Sequence, residues 1–241
     1  MQYFCSPMAH KKLIRFKELL TFSNVLQYPE NIKGQWAERF GNNNPITLEL
    51  ACGKGEYAVG LATLYPERNF IGADVKGNRI WVGAKQSLER GLHNVLFLRT
   101  QIDRIEQYFS TEEVAEIWIT FPDPQLRWSK MKKRLTHPRF LRMYRNILAP
   151  GGIIHLKTDS PNLYEFTKKV TELCGLPVLA DINDVHAQPE LSSELKIRTH
   201  YEGLNISGSH RVFYLSFQVN KPIPAVDEAL KEHFRDSEEA V

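Results

Sequence analysis

Four acidic residues, Glu49, Asp74, Asp123 and Asp159, each fall at or just after the end of an apolar run, and Gly53 and Gly55 follow the first of them. Carboxylates gathered on one rim repel one another and lose solvent, so cations or hydrogen-bond donors are expected to face them. In ELACGKGEY (Glu49–Tyr57), Gly53 and Gly55 let the backbone approach a ligand closely, and a helix beginning near Glu56 points its N-terminus at it. The turn fails as a phosphate-binding P-loop, because Gly55 follows Lys54 where Ser or Thr is required. A nicotinamide dinucleotide stays open, since Asp74 lies about 20 residues on and could bind ribose hydroxyls. Glu49 and Glu56 tilt the balance: they would repel a pyrophosphate and attract the sulfonium and α-ammonium of S-adenosylmethionine.

Phe121-Pro122-Asp123-Pro124 holds a carboxylate rigidly between two prolines. A methyl transfer is an in-line displacement, in which most of the catalysis is positioning, and a stiff turn suits it. QLRWSKMKKRLTHPR (Gln125–Arg139) follows, basic residues interleaved with Trp128. From Pro124 to Thr158 stand nine Lys and Arg, namely Arg127, Lys130, Lys132, Lys133, Arg134, Arg139, Arg142, Arg145 and Lys157, with no Asp or Glu, leaving 22 basic against 28 acidic residues elsewhere. A basic block on an otherwise acidic chain predicts a polyanion site, and phosphate backbones with an exposed base to stack match it.

The elements that must carry these residues alternate. Strands are predicted at Ile46–Ala51, Asn69–Val75, Asn94–Thr100, Glu116–Phe121 and Gly151–Asp159, with helices between them, and two further strands at Pro177–Ile182 and Arg211–Val219. Ser160-Pro161 is an N-cap with proline at the first helical position. Five strand–helix units predict a parallel, doubly wound α/β sheet, in which ligands bind beyond the carboxyl ends of the strands, where the four acids fall. The expected organisation is a helical lead-in over 1–45, one catalytic domain over 46–222, and a C-terminal helix with an acidic tail over 223–241, with Lys231–Val241 polar and frayed.

Composition bounds the rest. The 241 residues carry a net charge of +3 and 42% hydrophobic residues, enough for one real core. No apolar run is long enough for a bilayer, and Met1–Lys12 lacks the apolar stretch of a secretory signal. Cys5, Cys52 and Cys174 are too few and too scattered for a disulfide framework, so the expectation is a soluble cytoplasmic protein. His186, His200 and His210 lack ligand-like spacing, and no metal is expected. Cys52 is read as a small residue packed behind the turn, and His155 as a core or edge histidine.

Taken in order, ELACGKG, GADV, FPDP with its basic run, KTDS and the late THYE (Thr199–Glu202) resemble the bacterial tRNA (guanine-N7-)-methyltransferases over about Leu26 to Val219. The resemblance implies a class I, Rossmann-like methyltransferase fold, a mostly parallel seven-stranded sheet with its last strand antiparallel. It implies methyl transfer from S-adenosyl-L-methionine to N7 of the guanine at position 46, in the tRNA variable loop; the expected assembly, which the sequence leaves open, is a monomer or homodimer. It implies Asp123 as catalytic, Glu49, Gly53, Gly55, Asp74, Gln101 and Asp123 as donor-binding, and Arg127, Asp159, Thr199 and Glu202 as substrate-binding. Gln125 stands where the family usually has Trp, Arg127 where it has Lys, His200-Tyr201 where it has Lys-Phe, and Gln101 where it has an acid, so Asp103 is an alternative adenine contact. The remaining alternatives are a methyltransferase for another RNA or a small molecule, and a non-catalytic RNA-binding subunit.

Overall fold

The computed structural model describes residues 7–204 and 208–238. The sheet has eight strands: β1 (Val25–Gln27), β2 (Ile46–Leu50), β3 (Asn69–Asp74), β4 (Val95–Arg99), β5 (Val114–Thr120), β6 (Leu148–Thr158), β7 (Val178–Ile182) and β8 (Phe213–Gln218). Their order across the sheet is β1-β4-β3-β2-β5-β6-β8-β7. All seven expected strands are present, and β8 is antiparallel to both β6 and β7. The expected count of seven is corrected to eight by β1, which runs parallel to β4 at the far edge. Three residues are too few to show a period, so only the neighbouring edge makes Val25–Gln27 a strand.

The helices are α1 (Pro7–Leu19), α2 (Trp36–Phe40), α3 (Glu56–Leu64), α4 (Gly77–Glu89), α5 (Pro138–Ile147), α6 (Pro161–Cys174) and α7 (Asp227–Glu238). Strand residues alternate between two cores. Val95, Phe97 and Trp118 meet Tyr57, Leu61, Ile80 and Ala84 of α3 and α4 on one face. Leu96, Leu98, Ile117 and Ile119 meet Phe140, Tyr144, Phe166 and Leu230 of α5, α6 and α7 on the other.

Ser160 caps α6 as expected, its Oγ accepting from the Leu163 N–H at 3.3 Å with Pro161 behind it. α5 stops at Ile147, because Leu148 pairs with Val114 and opens β6. Much of the segment read as a frayed tail is helix, since α7 runs to Glu238; residues 239–241 lie outside the described residues, as does Cys5. No helix among the described residues is long and apolar enough to cross a membrane.

The chain leaves β2 in two directions, through β3 and β4 on one side and β5 and β6 on the other. The crevice of such a sheet opens between the two central strands at their carboxyl ends. Glu49, Asp74, Asp123 and Asp159 belong to four adjacent strands on that rim.

Candidate active site at the carboxyl rim of the sheet

Glu49 is 2% exposed and bridges the divide between β2 and β5. Its Oε1 accepts from Thr120 Oγ1 at 2.7 Å, and its Oε2 accepts from the Ala58 N–H of α3 at 2.9 Å. Burial lifts its carboxyl to about 8; the two hydrogen bonds oppose the lift, while the charges of Glu56 and Asp74 add to it. Burial thus favours the neutral acid at Glu49, a preference that a neighbouring cation would oppose. Thr120, the polar end of the Ile117–Thr120 stretch of β5, is a partner of Glu49 that sequence reasoning missed.

Asp74 closes β3 and fastens the turn. Its Oδ2 accepts from the Gly53 N–H at 2.9 Å and its Oδ1 from the Lys76 N–H at 2.8 Å. Each carboxylate oxygen keeps a second lone pair, and Asp74 lines the adjoining cavity. Gly55 (φ +70°) has no substitute, because a Cβ there would sit 2.4 Å from the buried Phe97 ring. Cys52 is packed behind the turn, and burial pushes its thiol up. His155 is a core residue, stacked 4.1 Å from Trp118 with Nδ1 2.7 Å from the Tyr214 hydroxyl.

The cavity measures about 340 Å³, within the range of small-molecule sites. It is lined by Asp74 and Val75 after β3, by Gln101 and Ile102 after β4, and by Lys133 and Arg139 of the basic block. The donor set fits a nucleoside: a carboxylate for a ribose diol, apolar faces for a base, and an amide for its polar edge. Asp103 also lines this space, but Arg139, another lining residue, forms an ion pair with it. Glu49, Gly53 and Gly55 belong to the glycine turn and its support and are not among the residues that line the cavity.

Asp123 is exposed. Its Oδ1 accepts from the Gln125 N–H at 3.0 Å, and the prolines are flanked by two left-handed residues, Phe121 (φ +46°) and Gln125 (φ +49°). Non-glycine residues in that region cost about 1 kcal/mol each, so the turn holds its shape against local preference. The Phe121 N–H donates to the Lys157 carbonyl at 2.8 Å, hanging the turn from β6.

The basic block divides in two. Arg127, Lys130, Lys133 and Arg145 are exposed. Lys157 and Arg134, counted from sequence among the polyanion-facing charges, are 0% and 5% exposed, which corrects their assignment. Arg134 donates to the carbonyls of Gln125 and Leu126 and braces the segment after Asp123. Arg142 donates to the Ile223 and Pro224 carbonyls, and Lys132 lies 3.8 Å from Asp227. Trp128, read as a base-stacking platform, is half-buried against Phe234 of α7 at 6.0 Å. Block charge counts cannot separate these roles, because burial is decided by distant elements.

Of the expected substrate-binding residues, Arg127 is exposed beyond the Asp123 turn and Asp159 is half-buried after β6. Thr199 is half-buried, with Oγ1 accepting from the Glu202 N–H at 3.2 Å. Tyr201, between them, lies 3.4 Å from where a Gly53 Cβ would stand, so this late segment covers the glycine turn. The Glu202 side chain is 4% exposed and paired with Lys157 at 3.0 Å. Among the described residues no cluster of His, Cys, Asp and Glu is arranged to hold a metal ion.

Sheet order, the glycine turn, the acid that closes β3 and the cavity together define a class I S-adenosylmethionine-dependent methyltransferase. The same architecture occurs in the 16S rRNA methyltransferase KamB (TM-score 0.59, 16% identity, 80% of this chain and 97% of that one). It occurs too in a 30S ribosomal A1408 methyltransferase from an uncultured bacterium (TM-score 0.57, 16% identity, 79% and 95%). The model of the methyltransferase family Methyltransf_4 matches residues 43–215. The tRNA (guanine-N(7)-)-methyltransferase of Porphyromonas gingivalis is 48% identical over 84% of this chain and 87% of its own. That of Christiangramia forsetii is 45% identical over 86% and 97%. The chain belongs to the tRNA (guanine-N(7)-)-methyltransferase family.

Proposed function

We propose that this protein transfers the methyl group of S-adenosyl-L-methionine to N7 of a guanine in tRNA, the guanine at position 46 of the variable loop. One observation supports the reading beyond family membership: Asp74 and Gln101 line the same nucleoside-sized cavity as Lys133 and Arg139 of the basic block. Donor site and polyanion surface thus share a boundary.

When bound, the donor supplies an electrophilic methyl group on a sulfonium. Asp74 holds the ribose hydroxyls and Gln101 the adenine edge, Asp103 being engaged by Arg139. Glu49, ionising beside the cationic end, offsets its charge. Gly53 and Gly55 shape the turn, and Asp123 meets both donor and target base. Arg127 and the exposed lysines hold phosphates, while Asp159 and the Thr199–Glu202 segment serve the RNA. Residues 46–222 carry this machinery; 1–45 and 223–241 flank it.

Guanine N7 presents a lone pair without losing a proton, so no general base is required. The methyl carbon passes from sulfur to N7, sulfur leaves as a neutral thioether, and the positive charge moves to the guanine ring. Asp123 accepts hydrogen bonds from the guanine N1–H and N2–H edge or offsets that new charge. Neither nucleophile nor leaving group needs a Lewis acid, so the reaction runs without a metal. The enzyme acts in the cytoplasm as a monomer or homodimer.

Labelled S-adenosylmethionine with an unmodified tRNA transcript tests the reading, with the product mapped by strand scission at 7-methylguanosine. Label at the variable-loop guanine, lost in Asp123→Ala, is the expected result. Donor binding with label on another RNA or a small molecule would overturn the substrate. RNA binding without donor binding would leave a non-catalytic subunit.

A further inference from the structure

We propose that Lys157 and Glu202 form an internal strut that positions the Thr199–Glu202 segment over the glycine turn, and that Glu202 serves the RNA through this strut rather than by touching it. The proposal rests on the tRNA reading above. Lys157 is 0% exposed near the end of β6, and its ammonium group donates to the Leu195 carbonyl at 3.0 Å, the Ile197 carbonyl at 2.9 Å and Glu202 Oε2 at 3.0 Å. An ammonium has three donors, so none remains for a phosphate. The other Glu202 oxygen lies 3.1 Å from His186 Nε2. Both Glu202 oxygens thus lie beside nitrogens of the chain itself, and the side chain is 4% exposed.

The segment these residues hold has no helix or strand of its own between Gln188 and Thr199. Fixed to β6 by Lys157, it delivers Tyr201 against Gly53, and the His200 N–H donates to Glu56 Oε2 at 3.0 Å. The Lys157 carbonyl meanwhile accepts the Phe121 N–H at the start of the Asp123 turn. One residue therefore ties the late segment and the methyl-acceptor turn to the same strand. Buried ion pairs add little net stability compared with apolar packing, whereas breaking one is costly. A pair in this place sets register between two loops that must meet one substrate. Lys157 and Glu202 are thus positioning residues.

Full-length Lys157→Met, Glu202→Gln and the double variant test this, by tRNA KM and kcat, donor Kd, and hydrogen exchange of the amides of 195–204. Lys157→Met is expected to raise the tRNA KM roughly tenfold or more while donor Kd stays within about twofold. Because the two side chains act as one unit, the double variant is expected to be no worse than Lys157→Met alone, and the amides of 195–204 exchange faster in both. Losses that multiply would overturn the strut and make Glu202 a direct RNA contact. Unchanged exchange in Lys157→Met would overturn it as well. A wild-type enzyme that leaves tRNA unlabelled would defeat the tRNA reading, while the exchange data would still decide the strut.

Discussion

The two halves of the site are built on opposite terms. On the proposed donor side, Glu49 and Asp74 are almost wholly buried, and they spend lone pairs on backbone N–H groups, Glu49 on Ala58 of α3 and Asp74 on Gly53 of the turn. On the proposed acceptor side, Asp123, Arg127 and Lys130 are exposed, and their positions come from braces elsewhere: two left-handed residues, Arg134 and Lys157. A small, constant ligand can be met by a preformed cavity. A large polyanion needs accessible charge on a loop held from behind.

The sharpest break in the comparison is at Asp123. Asp123→Ala should lower kcat by about 10²–10³, the scale for losing one stabilising group in a transition state, with donor Kd altered only a few-fold. Single-turnover methyl transfer and donor titration measure the two; equal losses in both would put Asp123 on the donor side instead.

Next in size is Gly55→Ala. The new Cβ would meet Phe97 in the core and hold a left-handed φ, so stability should fall by about 2–4 kcal/mol. Thermal unfolding should show a drop of roughly 5–15 °C, with donor affinity falling alongside. No counterpart among the exposed acceptor residues should move the melting temperature this far.

Glu49 gives a signature in pH. Its folded carboxyl titrates near 8 against 4.5 in an unfolded chain, so between those values the folded state holds the extra proton. Stability from this group is fully present below 4.5 and is lost as pH rises through about 8, at about 1.4 kcal/mol per unit. Subtracting the Glu49→Gln melting curve from wild type across that window isolates the slope. A cationic donor favours the ionised form, so donor binding below pH 8 should release a proton, seen as a binding enthalpy that varies with the buffer.

The smallest effects sharpen the division within the basic block. Arg127→Ala or Lys130→Ala should each reduce the log–log salt slope of tRNA binding by about 0.7–0.9 and leave the melting temperature alone. Arg134→Met should do the reverse, lowering stability while leaving the slope intact. Equal slopes for all three would erase the distinction between bracing and phosphate-facing charge.

Legibility followed the range of the interactions. Strands Ile46–Leu50 and Asn69–Asp74 and the Ser160-Pro161 cap could be read because their signals are local: an apolar run, a cap, a proline. Val25–Gln27 could not, since its strand character comes wholly from pairing with β4. Asp74 and Gln101 could be named from their places after strands, and both line the cavity. The Arg139–Asp103 pair and the Glu49–Thr120 bond escaped, as each joins residues that nothing in the local pattern links.

The order of residues alone determined the strand–helix alternation, the rim on which the acids fall, the glycine turn and the proline-framed Asp123, because each depends on neighbours along the chain. Only the tertiary structure decided which charges face outward. Lys157 and Arg127 are equal entries in a charge count, yet one is sealed under the 195–202 segment and the other stands in solvent. Burial is a property of what packs on top, and for Lys157 that covering arrives from some forty residues further along the chain.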